Sequence, residues 1–263
     1  MEDKDILRGR IHDLIDKADK YYSPVSSKFF SYSEISLIND ILKEDKLITE
    51  PNKIGDLSYF FFGGIDESDA SCLFISPSCY DKEDIKKNSS SIVCLHIFPK
   101  NIKFSDELTH RDVLGSIMNL GYERDEFGDI YIKDNDIYVF ALEEISKNIK
   151  EELKKIKHTT VEVEVLSPSS CPYKIEFEEK IINISSIRLD NILAETFNLS
   201  RGTAQEIISG KCVFINAKTI LDNDFQPKEN ERISVKGYGK FIFIGVNGRT
   251  RKDRLIAKVK IYK

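Results

Sequence analysis

Between Arg188 and Lys218 the chain gathers cations and short hydrogen-bond donors at spacings suited to holding a phosphate. Ser200, Arg201, Gly202 and Thr203 open a segment striped with Ala204, Ile207 and Ile208, as a helix start does. The first N–H groups of a helix have no partner within it and carry the positive end of its dipole, so such a turn is a phosphate seat. Arg201 adds a guanidinium fork, and Arg188, Lys211 and Lys218 add charge on either side. Thr203, Gln205 and Asn216 offer shorter, more directional bonds. These groups bind an anion; none is an activated nucleophile.

Two short helices, a turn and a strand must position them. Leu189, Ile192, Leu193 and Phe197 fall at i, i+3, i+4 and i+8, one apolar face of a helix, so Arg188, Asp190 and Glu195 are expected to face outward. Asp190 is expected to cap the helix or pair with Arg188 rather than to meet the ligand. Ser200 is a good N-cap for the second helix, and Gly210 is expected to supply its left-handed stop. Helices of about two turns gain little from their own hydrogen bonds and depend on packing against each other. The Asn216-Ala217-Lys218 turn predicts a hairpin tip. Beyond it Lys236, Lys240, Arg249, Arg251, Lys252 and Arg254 continue the basic series. Gly237, Gly239 and the apolar run Phe241 to Val246 interrupt it as strands would, and Tyr238, between two glycines, can stack on a base or sugar.

The net charge of −5 hides an asymmetry. Residues 183–263 hold 15 Lys+Arg against 8 Asp+Glu, whereas the preceding 182 residues hold 24 against 36. A polyanion is drawn to the C-terminal part and repelled by the rest. No apolar window is long enough for a membrane span, and the start Met1-Glu2-Asp3-Lys4-Asp5 is acidic, unlike a signal peptide; a cytoplasmic protein is expected. The five cysteines, at 72, 79, 94, 171 and 212, are scattered without a CxxC pair. They are expected to be buried or incidental thiols, with no metal site and no cofactor.

The pattern predicts an α+β chain in parts. Residues 1–68 form a mixed helical domain, with a helix over 5–20 (Ile6, Leu7, Ile11, Leu14, Ile15) and a helical region from Phe29 to Leu47 capped by Ser31 or Ser33. Tyr59 to Phe62 predicts a buried strand ending at Gly63-Gly64. Residues 69–167 form an α/β domain with strands at Ala70–Ile75 and Ile92–Phe98, a helix capped by Thr109 or Asp106 and running to Asn119, and a hairpin of 129–133 with 136–140. A helix over Glu143–Ile156 and a strand over Thr160–Leu166 complete it. Strand, helix, strand, strand, helix, strand is the split βαβ order of RNA-recognition modules. Residues 168–182, with Ser167, Pro168, Ser169, Ser170 and Pro172, are a linker and the strand leading into the last domain, 183–263.

His110, Arg111 and Asp112 could be taken for an acid/base set, but three consecutive residues of one helical turn point in different directions. Arg111 is expected to contact RNA or a partner, with Arg124 and His110 nearby, while His110 and Asp112 make helix-start hydrogen bonds. Tyr131, Tyr138 and Phe140 fit core or edge packing as well as base stacking.

Arg188-Leu189-Asp190, Ser200-Arg201, the helix ending Ile208-Ser209-Gly210-Lys211, then Val213 and Asn216, resemble the small RNA-binding domain named after ribosomal protein S-four. Leu108-Thr109-His110-Arg111-Asp112-Val113-Leu114-Gly115, Leu120-Gly121 and Gly128-Asp129-Ile130 are similar to the middle-domain signature of the YlmH family. Gly63-Gly64 also fits, as do the basic stretches Lys236 to Phe241 and Thr250 to Arg254, though Tyr238 inside the first departs from the family's pattern. The resemblance implies a bacterial protein with a middle domain resembling an RNA-recognition fold and a C-terminal S-four domain. It implies binding to rRNA and tRNA on the large ribosomal subunit, in rescue or quality control of stalled translation.

A non-enzymatic, monomeric RNA-binding protein is therefore expected, with no membrane contact and a protein partner at its acidic N-terminal domain. The alternatives are an RNA-modifying enzyme that uses the S-four domain for delivery and a basic-tailed protein-interaction scaffold. A pseudouridine synthase needs a catalytic aspartate in a GRLD-type strand-loop motif. The only RLD here, at 188–190, belongs to the binding domain itself, and the chain lacks a cofactor loop and a nucleophile elbow.

Overall fold

A computed structural model describes residues 2–88 and 91–263. The chain forms two compact units, Met1–Lys174 and Ile175–Lys263.

The first unit opens with α1 (Glu2–Tyr21), β1 (Val25–Phe30) and α2 (Tyr32–Glu44), followed by β2 (Lys53–Ile54), β3 (Leu57–Phe62) and β4 (Ser71–Pro77). The strands make an antiparallel sheet in the order β1-β4-β3-β2. Leu7 and Ile11 of α1 and Ile38, Ile41 and Leu42 of α2 bury themselves with Phe30, Tyr59, Leu73 and Ile75 of that sheet. Ser31 caps α2 in a reciprocal box with Glu34. Two expectations change. The region from Phe29 is a strand before it is a helix: Phe29 and Phe30 pair with Cys72 and Ser71 at the end of β1, which shifts register between Ser26 and Phe29, where the Ser27 hydroxyl accepts the N–H of Leu73 at 2.8 Å. That irregularity erases the alternation by which a strand is recognised. The strand expected at Ala70–Ile75 exists as β4, but it pairs in this sheet and not with Ile92–Phe98. Ile6, placed on the buried stripe by its spacing, is 54% exposed.

Next come α3 (Lys82–Asn88), β5 (Ile92–Pro99), α4 (His110–Met118), β6 (Phe127–Lys133), β7 (Asp136–Leu142), α5 (Glu143–Glu152), β8 (Lys155–Ile156) and β9 (Thr159–Leu166). Their sheet order, β6-β7-β5-β9-β8, reproduces the split βαβ arrangement. α5 stops at Glu152, earlier than its charge pattern suggests, because Lys155 and Ile156 turn back to pair with Thr160 and Thr159 around a left-handed Lys157. Val113, Ile117, Ile145 and Ile149 from the helices join Leu95, Ile97, Val139 and Val163 from the strands in the core.

The two sheets of this unit share that core. Phe29, Phe60 and Phe74 of the first lie in one cluster with Phe127 and Phe140 of the second. Two glycines permit the approach: a Cβ on Gly64 would lie 2.0 Å from the Phe140 ring, and one on Gly128 would lie 2.6 Å from the Phe29 ring. Asp129 stitches the sheets, accepting the backbone N–H of Asp69 at 2.6 Å and of Ala70 at 3.3 Å. Burial raises the pKa of its carboxyl, against the lowering effect of those bonds.

The second unit contains β10 (Phe177–Ile184), α6 (Leu189–Phe197), α7 (Arg201–Ser209), β11 (Val213–Ile215), β12 (Lys218–Thr219), β13 (Glu231–Val235), β14 (Gly239–Arg249) and β15 (Leu255–Tyr262). The sheet runs β10-β15-β14-β13-β11-β12. Leu189, Ile192, Leu193, Ala204 and Ile208 from the helix pair are buried with Val213, Ile233, Phe241, Phe243 and Val259 from the strands. Among the described residues no helix is long and apolar enough to cross a membrane, and no group of His, Cys, Asp and Glu could hold a metal ion.

Candidate nucleic-acid interface

The two helices of the second unit begin differently. At α6 no side chain caps the N-terminus; the N–H groups of Leu189 and Asp190 donate to the carbonyls of Phe225 at 2.8 Å and Asn223 at 3.3 Å, so the loop after β12 closes that end. At α7 the Ser200 hydroxyl accepts the N–H of Thr203 at 3.1 Å and lies 2.8 Å from the Thr203 hydroxyl. The N–H groups of Arg201 and Gly202 precede the first intrahelical bond, that of Ala204 to Ser200, and have no backbone acceptor among the described residues.

Asp190 does not face outward as its spacing suggests. Its side chain is wholly buried, because α7 packs over the side of α6 that carries it. There it accepts from Arg188 Nε and Nη2, both at 3.2 Å, from Arg201 Nε at 2.9 Å and from Gln205 Nε2 at 2.9 Å. Burial pushes this carboxyl up, but the hydrogen bonds from Arg188, Gln205 and Arg201 outweigh it and hold the pKa at about 2. The expected pairing of Asp190 with Arg188 is thus present, and a second arginine joins it. Arg188 also pairs with Asp224. Arg201 is anchored by Nε alone; its terminal nitrogens meet no protein acceptor among the described residues, and its side chain is 53% exposed.

The helix stop is one residue later than expected. Gly210 has φ −71°, and the left-handed residue is Lys211 at φ 59°. Lys211 N–H donates to Ile208 at 3.1 Å and Cys212 N–H to Ile207 at 3.2 Å, the paired bonds of a Schellman motif. The motif turns the exposed Lys211 out beside the helix end. Asn216 and Ala217, at φ 48° and 65°, form the expected two-residue hairpin tip before the exposed Lys218. The Asn216 amide is committed to Glu231 Oε1 at 3.2 Å.

The remaining cations divide by what holds them. Arg249 pairs with Asp253 at 2.7 Å and Arg254 with Glu195 at 2.8 Å, while Lys240 sits 4.8 Å over the Tyr262 ring. Lys211, Lys236, Arg251 and Lys252 are exposed and make no side-chain ion pair among the described residues. Tyr238 is 43% exposed, with its ring 5.7 Å from that of Phe197. Sequence reasoning passed over Lys180, whose ammonium caps the end of α6 through the carbonyls of Glu195 at 2.9 Å and Thr196 at 2.7 Å. It also passed over Asp224, since an acidic loop some thirty residues away carries no local signal of contact with Arg188.

In the first unit, Thr109 and Asp112 cap α4 reciprocally, and Asp112 pairs with Lys157 at 2.7 Å. The Lys157 and Thr109 bonds hold the Asp112 pKa at about 2. No bond links His110 to Asp112, so no acid/base pair forms there. Arg111 is exposed, and Arg124 Nη1 donates to the Phe127 carbonyl at 2.6 Å. Tyr131, Tyr138, His96 and Glu164 form one row across the sheet by register. Tyr173 stacks on Tyr131 with centroids 4.4 Å apart, so packing within the unit occupies that ring.

Two sequence families coincide with these parts. Residues 91–170 match "Putative RNA-binding domain in YlmH", and residues 187–233 match the S4 domain. The class is therefore that of RNA-binding proteins with an α+β middle domain and an S4 domain behind it. A curated relative, "Ribosome-associated protein quality control protein P2" of Bacillus subtilis (strain 168), is 23% identical over 216 residues, 81% of each chain. A solved structure, "Cell division protein ylmH from Streptococcus pneumoniae", overlaps 63% of this chain and 92% of its own at 20% identity and a TM-score of 0.48. The chain thus carries a domain matching the YlmH RNA-binding domain, followed by an S4 domain.

Proposed function

We propose that this protein binds structured RNA, rRNA and tRNA, on the large ribosomal subunit, in rescue or quality control of stalled translation complexes, as a cytoplasmic monomer that performs no chemistry on the RNA. The observation that carries the reading is the α7 start: Arg201 presents both terminal nitrogens beside N–H groups at a helix N-terminus, with Lys211 at the other end of the helix. Arg188, Ser200, Thr203, Gln205, Asn216 and Lys218 frame that seat. Two further basic groups, Lys236, Tyr238 and Lys240 around the start of β14 and Arg249, Arg251, Lys252 and Arg254 around the turn after it, add contacts at either end of that strand. Contacts of this kind go to backbone phosphates and suit RNA read by shape. The name of the Bacillus subtilis relative supports the ribosomal setting. His110, Arg111 and Arg124 are a second contact, to RNA or a partner, and the acidic N-terminal part takes a protein partner.

The test is co-sedimentation with purified large ribosomal subunits, empty and carrying tRNA, against an Arg201→Ala, Lys211→Ala double variant. The wild type should travel with the subunit and the variant should stay in the supernatant, with binding that weakens steeply as salt rises. A wild type that stays behind with either form of the subunit overturns the ribosomal reading.

A further inference from the structure

We propose that Asp190 is a positioning residue for RNA binding: from within the protein it fixes Arg188, Arg201 and Gln205 as one preorganised phosphate clamp, although it never touches the RNA. The inference rests on the α7 reading above and adds to it the group that sets the clamp's geometry.

A carboxylate in the middle of a polyanion site is paradoxical by charge alone, since it cancels one of the cations that attract the ligand. Its placement resolves the paradox. The side chain is wholly buried, so RNA does not meet it, and all its bonds go to groups on the rim. Arginine is long and loses side-chain freedom when it closes on a ligand. Asp190 imposes that loss during folding. It takes Arg201 by Nε, the nitrogen nearest the backbone, which restrains the guanidinium and leaves both terminal nitrogens without a protein acceptor among the described residues. It takes Arg188 by Nε and Nη2, while Asp224 holds the same Nη2 from the other side. Gln205, one turn along α7 from Arg201, donates to the oxygen that Arg201 uses and ties the helix to the clamp. Lysine in place of Arg201 would keep the charge and lose the arrangement, because one ammonium cannot replace a planar fork held at its base.

The full-length protein, wild type and variants, is titrated against purified tRNA by fluorescence anisotropy over a series of salt concentrations. Charge bookkeeping predicts tighter binding for Asp190→Asn, which removes a negative charge. Positioning predicts roughly tenfold weaker binding and a shallower salt dependence, by about one to two phosphates' worth of slope. Positioning also predicts no further loss when Asp190→Asn is added to an Arg188→Ala, Arg201→Ala background. If Asp190→Asn does not fold, Arg201→Lys is read in its place, and a several-fold loss at unchanged net charge is expected. Asp190→Asn binding as tightly as wild type or tighter, an equal loss in the background without the arginines, or Arg201→Lys binding like wild type overturns the positioning role alone. A wild type that fails to bind tRNA overturns the α7 reading beneath it as well.

Discussion

The starts of α4 and of α6–α7 place the same residue types together, an arginine close to an aspartate, and use them in opposite ways. At α4 the carboxylate of Asp112 turns back on Thr109 and outward to Lys157, so it caps the helix and makes no bond to Arg111 among the described residues. At α6–α7 the carboxylate of Asp190 turns inward beneath a second helix and collects Arg188, Arg201 and Gln205. Both acids are held near a pKa of about 2, so electrostatic strength does not separate them. The difference lies in what each acid's partners can then do. A lysine tethered to a cap is consumed by it, whereas an arginine tethered by Nε still presents a fork.

The largest expected effect is on RNA affinity. Arg201→Ala should weaken tRNA binding by roughly ten- to a hundredfold, the loss of charge-assisted bonds to a phosphate, whereas Arg111→Ala should change it less than about threefold. Comparable losses for the two variants would break the contrast and give the middle domain an equal share of the RNA.

Acid should act on the two sites alike. Each folded-state pKa, about 2, lies below the ordinary 3.8, so the unfolded chain takes up the proton first as pH falls. The stabilisation is complete above roughly pH 4 and is lost on going down through about pH 2, amounting for Asp190 to on the order of 2 kcal/mol. Urea denaturation at pH 6 and pH 2.5 should show this, and Asp190→Asn should lose less on acidification than wild type. An unchanged pH dependence in Asp190→Asn would mean that its pairing contributes nothing to stability.

The smallest effect sharpens the contrast from the binding side. Lys211 occupies a left-handed position where glycine is relieved of strain, so Lys211→Gly should stabilise the fold by a few tenths to about 1 kcal/mol while weakening RNA binding about threefold. Stability and affinity would then move in opposite directions in one variant. A loss of both would show that Lys211 serves the fold.

What could be read before the fold was known follows from local physics. The apolar face of Leu189, Ile192 and Leu193, the Ser200 cap, the Asn216-Ala217 turn and the split βαβ order all depend on neighbours within a few residues. The structure keeps each of them. The β1 strand stayed hidden because a register shift removed its alternation, and β4 was given to the wrong sheet because strand pairing leaves no mark on the strand itself. Gly64 was legible as the end of a strand and Gly128 as part of a motif, but the close approach of a phenylalanine ring to each appears only in the fold.

Composition and local periodicity make the C-terminal third basic, call for two short helices and a hairpin there, and bring its arginines and hydroxyls close together along the chain. Which of them are spent on the protein itself is a matter of tertiary packing. Periodicity assigns a residue to one side of a helix, but whether that side meets water or another helix depends on how the helices pack. That packing took Asp190 from the surface to the interior, closed the start of α6 with a distant loop, and left the start of α7 open.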